Sequence, residues 1–138
     1  MWSKFGNKKV TTDEGTFDSK GEHRRWLFLK EAQMNGEIHG LCRQISFELV
    51  PPVHYYKTIQ LKTKTKDVER LWTRAVTYTA DFVYYYNGER IVEDFKGQPN
   101  DRWPIKKALM AFVHGIYVRE VRKPNEPIIK ATSKDDQD

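Results

Sequence analysis

The dipeptide Asn87-Gly88 constrains the fold of this chain more than any other feature of the sequence. It lies in the middle of YTADFVYYYNGERIVEDFKG, residues 78–97, between two runs rich in Tyr, Phe, Val and Ile. Asn-Gly between apolar runs predicts a β-hairpin with a two-residue type I′ turn, which needs positive φ at both positions. In such a hairpin Tyr86 faces Glu89, and the numbers of every facing pair add to 175.

This register predicts a cluster of charged residues on one face of the hairpin. Asp81 is expected to face Asp94, and Thr79 to face Lys96, which lies on the face of the two aspartates. Carboxylates opposed in this way have Cβ atoms roughly 5 Å apart and repel each other. A divalent cation would remove the repulsion, since Mg²⁺ takes one or two carboxylates together with waters and phosphate oxygens. A surface hairpin with ordinary charges is the alternative interpretation.

Alternation also assigns the apolar residues of the hairpin to two faces. The charged face is expected to continue into Val83 and Val92. The opposite face is expected to be a packing face, and it consists of Ala80, Phe82, Tyr84, Ile91 and Phe95.

A helix is predicted before the hairpin, beginning at Asp18-Ser19 and ending at Asn35-Gly36. Glu22 lies on an apolar stripe of this helix. The other members of the stripe are Trp26, Leu29 and Gln33. Ser19-x-x-Glu22 also has the form of a capping box, in which the glutamate accepts from the N-cap N–H. Glu22 therefore has two interpretations, as a helix cap and as a site residue.

Residues 38–74 are expected to contain one strand and a basic insertion. Residues 38–50 alternate as a strand, and Gln44 lies on its polar side. Residues 53–74 mix β-forming residues with a possible short helical turn at DVERLWTR, residues 67–74. This insertion contains the cations Lys57, Lys62, Lys64, Lys66, Arg70 and Arg74. Lysines that guard a strand edge are one interpretation, and contact with a nucleic-acid backbone is the other.

A second helix is predicted after the hairpin, with Pro104 in its first turn, Asn100 or Asp101 as its cap and Gly115 at its end. Its expected apolar stripe is Ile105, Ala108, Leu109 and Phe112. The cations near its start are Arg102, Lys106 and Lys107. Residues 116–121 predict a last strand, so the expected order is α-β-insertion-β-β-α-β.

Composition limits the classes of protein that this chain can belong to. The 138 residues suffice for one domain with a core, which we expect to have an N-terminal arm at 1–16 and a tail at 122–138. The net charge of +5 favours an anionic partner. Cys42 is the single cysteine, so a disulfide framework and a cysteine zinc site are excluded. We expect no signal peptide and no membrane span, and the sequence has neither a glycine-rich phosphate loop nor a Gly-x-Ser-x-Gly motif.

Asp81 followed by Asp94-Phe95-Lys96, with a glutamate on a preceding helix, resembles the PD-(D/E)XK nuclease superfamily. More narrowly, FDSKGEHRRW, the strand at 44–49, YTADF and VEDFKG resemble a family of small phage and prophage proteins of unknown function, and the last two are similar to phage Holliday-junction-resolving endonucleases and to the endonuclease subunit of some transposases. The resemblance covers Phe17 to Val121. It implies an α/β fold with a restriction-endonuclease-like core, in which a mixed sheet is flanked by helices.

The resemblance also implies roles for individual residues. Asp81 and Asp94 would bind Mg²⁺ or Mn²⁺ with support from Glu22, and Lys96 would act at the scissile phosphate. Ala80 replaces the proline of the motif, which removes no ligand. Glu93 would point to the opposite face of an unbroken strand. DNA is expected to be contacted by Gln44, Lys62, Lys64, Lys66, Arg102, Lys106 and Lys107.

The expected function is metal-dependent hydrolysis of phosphodiester bonds in DNA, in the cytoplasm of a bacterial host during phage recombination or replication. A homodimer acting on branched DNA fits the resolvase-like resemblance. Three alternatives are open: a nuclease for nicking or end processing, a DNA-binding accessory protein without activity, and a virion structural protein.

Overall fold

The computed structural model of the chain describes residues 8–96 and 101–130, which form an α/β fold. The helices are α1 (Lys20–Met34) and α2 (Trp103–His114). The strands are β1 (Val10–Thr12), β2 (Gly15–Phe17), β3 (His39–Val50), β4 (Val53–Gln60), β5 (Thr65–Thr73), β6 (Val76–Tyr86), β7 (Glu89–Phe95) and β8 (Arg119–Val121). The prediction of a mixed sheet with two helices is confirmed.

The central sheet has the strand order β3-β6-β7-β8. The pairs β3–β6 and β6–β7 are antiparallel, whereas β8 runs parallel to β7. A parallel neighbour requires a crossover connection, and α2 lies in the connection between β7 and β8. Two separate hairpins, β1–β2 and β4–β5, complete the described strands.

The predicted turn and register at the centre of the chain are confirmed. Asn87 and Gly88 have φ of 51° and 78°, as a type I′ turn requires. The paired ladder runs from Tyr86 opposite Glu89 to Phe82 opposite Glu93. It ends there, so the expected pairs Asp81–Asp94 and Thr79–Lys96 do not belong to it.

One side-chain and one backbone hydrogen bond continue from β7 where the β6–β7 ladder ends. The Phe95 N–H donates to Asp81 Oδ2 at 2.8 Å, and the Lys96 N–H donates to the carbonyl of Val121 in β8 at 2.8 Å. An aspartate carboxylate therefore occupies the position at which a β6 carbonyl would otherwise accept.

Two buried clusters lie on opposite faces of the sheet. Neighbouring residues on a strand point to opposite sides, and Val83 packs on the α2 side whereas Phe82 packs on the α1 side. The cluster on the α2 side contains Phe47, Leu49, Tyr78, Ala80, Val83, Val92, Met110 and Val118. The cluster on the α1 side contains Leu29, Ala32, Ile38, Phe82, Tyr84 and Ile91.

The alternation of β6 breaks at Asp81. Ala80 packs with Val83 instead of Phe82, so its predicted place on the packing face of Phe82 and Tyr84 is wrong. Opposite the break, Gln44 of β3 has a φ of 55°, in the left-handed region that non-glycine residues rarely adopt. The backbone of both strands thus changes face at the position of a predicted site residue.

Helix α1 begins and ends where the sequence predicts. Ser19 is its N-cap, and its Oγ accepts from the Glu22 N–H at 3.1 Å, while Asn35 is the C-cap. Gly21 lets this first turn lie close to β7, because a Cβ there would come within 2.7 Å of the Phe95 ring.

The predicted stripe of α1 is only partly correct. Trp26 is half-buried and Gln33 is exposed, whereas Arg25 is fully buried. Arg25 forms two hydrogen bonds with Glu93 of β7, from Nε at 2.9 Å and from NH2 at 2.7 Å. Glu93 therefore does point away from the face of Asp94, as expected.

Helix α2 differs from its prediction at the cap and along the stripe. Its N-cap is Arg102, not Asp101, and no side chain caps it; the other candidate, Asn100, lies outside the described residues. Ile105 and Phe112 are 64% and 87% exposed, and the apolar residues that meet the sheet are Trp103, Leu109 and Met110. The packing angle of the helix decides which residues are covered, and periodicity alone does not give that angle.

The peripheral segments also depart from expectation. The helical turn expected at 67–74 is wrong, because β5 pairs with β4 along its length. The N-terminal segment contains the hairpin β1–β2, whose Phe17 is buried, and β8 covers only the end of the expected strand at 116–121. Residues 131–138 of the expected tail lie outside the described part.

Candidate active site

An open cleft of about 510 Å³ lies where the N-termini of both helices meet the sheet. Its lining is mainly polar and comes from α1, β3, β6, β7 and α2. The residues that line it are Asp18, Ser19, Glu22, Gln44, Thr77, Tyr78, Thr79, Asp81, Asp94, Phe95, Lys96, Arg102, Trp103 and Lys106. All four predicted catalytic residues, Glu22, Asp81, Asp94 and Lys96, therefore share one cleft.

Asp81 interacts with the carboxylates of two other residues that line the cleft, Asp94 and Glu22. Its pKa is raised from 3.8 to about 9, mainly by burial and in addition by the negative charges of Asp94 and Glu22. The hydrogen bond from the Phe95 N–H acts in the opposite sense. The mutual repulsion that the hairpin register predicts is thus present in the folded protein.

Glu22 both accepts a hydrogen bond at the start of α1 and lines the cleft. Its carboxylate is buried and accepts from the Asp18 N–H at 2.5 Å, so it caps the residue before Ser19 and not Ser19 itself. Its second oxygen accepts from Gln44 Nε2 at 3.5 Å. The same carboxylate contributes to the raised pKa of Asp81, so capping does not remove it from the site.

Asp94 and Lys96 form the other side of the cleft. The Lys96 ammonium makes an ion pair with Asp94 Oδ2 and lies 3.6 Å from the centroid of the Trp103 ring. Tyr78 donates its hydroxyl hydrogen to Asp94 Oδ1 at 2.9 Å. Both oxygens of Asp94 are therefore held, and the ammonium is fixed between a carboxylate and an indole.

Tyr78 and Trp103 are site residues that the sequence analysis did not find. By strict alternation Tyr78 belongs on the face opposite Asp94, and only the break at Asp81 brings it to the side of that aspartate. Trp103 bonds Glu120 of β8 at 2.9 Å through its indole N–H. The sequence feature that could have identified Trp103 is its position directly after Arg102, a predicted DNA-binding residue.

The predicted DNA-binding residues separate into two groups. Gln44, Arg102 and Lys106 line the cleft, and Lys107 is bonded to Glu120 at 2.8 Å near it. The three others, Lys62, Lys64 and Lys66, lie on the β4–β5 hairpin and do not line the cleft.

The donor set of the cleft suits a hard divalent cation. Within residues 8–96 and 101–130, no three Asp, Glu, His or Cys side chains form a ready cage for a metal. Mg²⁺ does not need one, since it is commonly held by one or two carboxylates and keeps several waters. The crowding that raises the pKa of Asp81 is what such a cation would relieve, so the residues present fit the cation.

Replacing Asp81 with asparagine is expected to stabilise the cation-free protein at pH 7–9. The folded state raises the pKa of Asp81. The carboxyl group therefore does not lower the free energy of unfolding below its unfolded pKa, and it lowers this free energy increasingly as the pH rises towards 9. We expect Asp81→Asn to add about 1–3 kcal/mol to the free energy of unfolding at pH 8, and little at pH 4. Urea unfolding in EDTA at both pH values measures this.

Asp13→Asn, in the exposed β1–β2 turn, is the matched control and should change little at either pH. Mg²⁺ should then raise the unfolding temperature of the wild type more than that of Asp81→Asn. Equal destabilisation by Asp81→Asn at both pH values would contradict this description of the cleft.

No helix of the described residues has the length and apolar character needed to cross a membrane.

Comparison with known proteins places the chain in a family. No curated protein and no solved structure matches the chain significantly. A family model described as "Protein of unknown function (DUF1064)" matches residues 2–124. Since this match covers most of the sequence, the chain belongs to the DUF1064 family.

Proposed function

We propose that this protein is a divalent-cation-dependent DNA endonuclease with a restriction-endonuclease-like core. The observation that carries the proposal is the cleft that unites Asp81 and Asp94 with Lys96, as the resemblance to PD-(D/E)XK nucleases implies. The helix–sheet succession from α1 to β8 supports the fold part of the proposal.

Asp81 and Asp94, assisted by Glu22, would hold Mg²⁺ or Mn²⁺. When bound, the cation would supply Lewis-acid polarisation of the scissile phosphate and activation of water. Tyr78 orients Asp94 through its 2.9 Å hydrogen bond, and the Phe95 N–H orients Asp81 at 2.8 Å. The carboxylates are therefore held in place before substrate arrives, which is what electrostatic catalysis requires.

Lys96 would stabilise negative charge that develops on the phosphate. Its ammonium is restrained by Asp94 and by the Trp103 ring, so little conformational freedom is lost when it meets an anion. With Asp94 holding a cation, the Lys96 ammonium would be available to bind a phosphate oxygen.

The surroundings of the cleft favour an anionic substrate. The first turns of both helices line it, and the N-terminus of a helix carries a partial positive charge. Lys106 and Arg102 lie on the same wall, with Lys107 nearby, where they would contact flanking phosphates.

A branched DNA and a homodimer complete the proposal. The described residues of one chain form one such cluster of Asp81, Asp94 and Lys96, so cutting two strands at a junction would require a second copy. Support for the branched substrate comes from the resemblance of YTADF and VEDFKG to junction-resolving enzymes. The proposed location is the cytoplasm of a bacterial host.

Cleavage of a plain linear duplex tests the enzymatic part of the proposal. Cutting is expected in Mg²⁺ or Mn²⁺, none in EDTA, and none with Asp94→Asn in either cation. Asp94→Asn should fold normally, because an asparagine can still accept from Tyr78. DNA binding without any cutting, with both cations and on several DNA forms, would favour a DNA-binding accessory protein.

A further inference from the structure

The β4–β5 hairpin, residues 53–73, separates its charges between two faces. The register places alternate residues of each strand on the same side. We call one side the basic face, and it consists of Tyr55, Lys57, Ile59, Lys66, Val68, Arg70 and Trp72. The other side, the acidic face, consists of His54, Tyr56, Thr58, Gln60, Thr65, Asp67, Glu69 and Leu71. All three cations of the two strands lie on the basic face and both acids on the acidic face.

Contacts within the hairpin agree with this division. On the acidic face Asp67 accepts from the Thr58 hydroxyl at 2.6 Å, and Glu69 lies 3.8 Å from His54 Nδ1. On the basic face the rings of Tyr55 and Trp72 meet edge to face, with centroids 5.4 Å apart. The acids are thus occupied on their own side and do not neutralise the cations.

The basic face exposes a large aromatic surface. Trp72 is 69% exposed and Tyr55 is 39% exposed, although their rings touch. An exposed tryptophan on the same face as three cations suits a partner that is both flat and anionic. Lysines that only prevent a strand edge from pairing with another chain would not explain the exposed Tyr55–Trp72 pair.

We propose that the basic face of the β4–β5 hairpin binds unpaired nucleotides of the DNA substrate, with Trp72 stacking on a base and the cations on the adjoining phosphates. This rests on the proposed function only in taking DNA as the partner. Stacking on an aromatic ring requires a base that is free of its own duplex stack, whereas cations alone would serve a duplex equally well. The face therefore selects DNA with single-stranded or opened positions, such as a branch point.

The position of the hairpin suits this role. It connects β3 to β6, the two strands that carry Gln44 and Asp81 of the cleft. Thr77, four residues after the last residue of β5, lines the cleft itself. A single strand held by the hairpin would thus be tethered near the proposed catalytic residues.

Binding in EDTA tests this inference without any cleavage. Fluorescence anisotropy would measure the affinity for a labelled oligothymidine and for a matched blunt duplex. Trp72→Ala is expected to weaken oligothymidine binding about tenfold or more and to change duplex binding much less. Tyr56→Ala, on the acidic face and 75% exposed, is the matched control and should leave the affinity within about twofold. Trp72→Phe should restore most of the affinity.

The cations are tested through salt dependence. Replacing Lys57, Lys66 and Arg70 together with glutamine is expected to reduce the slope of log affinity against log salt by about 2 for a single strand. The control on the acidic face is Asp67→Asn with Glu69→Gln. Circular dichroism verifies that the variants are folded.

The outcomes separate this inference from the proposed nuclease. Cleavage in Mg²⁺ with oligothymidine binding unaffected by Trp72→Ala would overturn the inference and leave the nuclease standing. Binding that depends on Trp72 without any cleavage would support the inference and overturn the nuclease. If Trp72→Ala alters self-association in sedimentation velocity and leaves DNA affinity unchanged, the basic face is a protein interface and the inference is wrong.

Discussion

Replacing Lys96 with alanine is expected to slow DNA cleavage about 10²–10³-fold while the protein still folds and binds Mg²⁺. The ammonium is the cation fixed directly against Asp94, and loss of one preorganised charge at a developing oxyanion costs about 10²–10³-fold in kcat. Cation binding should be unchanged or stronger, because Lys96 no longer competes for Asp94. Single-turnover cleavage and the Mg²⁺-induced rise in unfolding temperature measure the two effects separately.

Lys30→Ala provides the matched control for this variant. Lys30 also makes a lysine–carboxylate pair, with Glu14 at 2.6 Å, and lies near a tryptophan ring, but it is outside the cleft. Its replacement should leave the cleavage rate within about twofold, as expected for an exposed pair. Retained activity in Lys96→Ala would remove this lysine from the chemistry.

Replacing Glu93 with glutamine is expected to destabilise the protein by about 3–5 kcal/mol, because it leaves the guanidinium of Arg25 buried without its counter-charge. Both side chains are fully buried, and the pair is bidentate. The other partners of Arg25 are neutral carbonyls, those of Pro124 at 3.1 Å and Glu126 at 2.6 Å. Urea unfolding should show the loss as a lower midpoint with a similar slope.

Asp94→Asn is the neighbouring control for Glu93→Gln. The two carboxylates are adjacent in sequence and point to opposite faces of the sheet, so the two variants should lose different properties, one stability and the other cleavage. Glu93→Gln should lose stability, and its folded fraction should keep the specific cleavage rate. Asp94→Asn should keep its fold and lose cleavage. A stable Glu93→Gln without activity would mean that Glu93 belongs to the catalytic site.

The sequence predicted the centre of the fold because local chemistry determines it. The turn at Asn87-Gly88 depends on two residues that tolerate positive φ, and the register of β6 and β7 follows from it. The separation of Glu93 from Asp94 follows from alternation alone. The boundaries of α1 follow from its caps at Ser19 and Asn35.

The parts that the sequence did not predict depend on tertiary packing. Strict alternation places Tyr78 away from Asp94, and only the change of face at Asp81 and Gln44 reverses this. Gln44 gives no local sign of a left-handed backbone. The exposure of Phe112 depends on how α2 packs on the sheet. Residues 67–74 form a strand because they pair with β4, and their own sequence does not contain that partner.

Cleavage of a labelled four-way junction beside a linear duplex of matched sequence tests the central claim most directly. The assay would use Mg²⁺, Mn²⁺ and EDTA in turn, with Asp94→Asn as the control. We predict cation-dependent cutting that is faster on the junction and absent in the variant. Cutting that persists in EDTA or in Asp94→Asn, or no cutting of either DNA by a protein that binds both, would contradict the assignment of the cleft as a nuclease site.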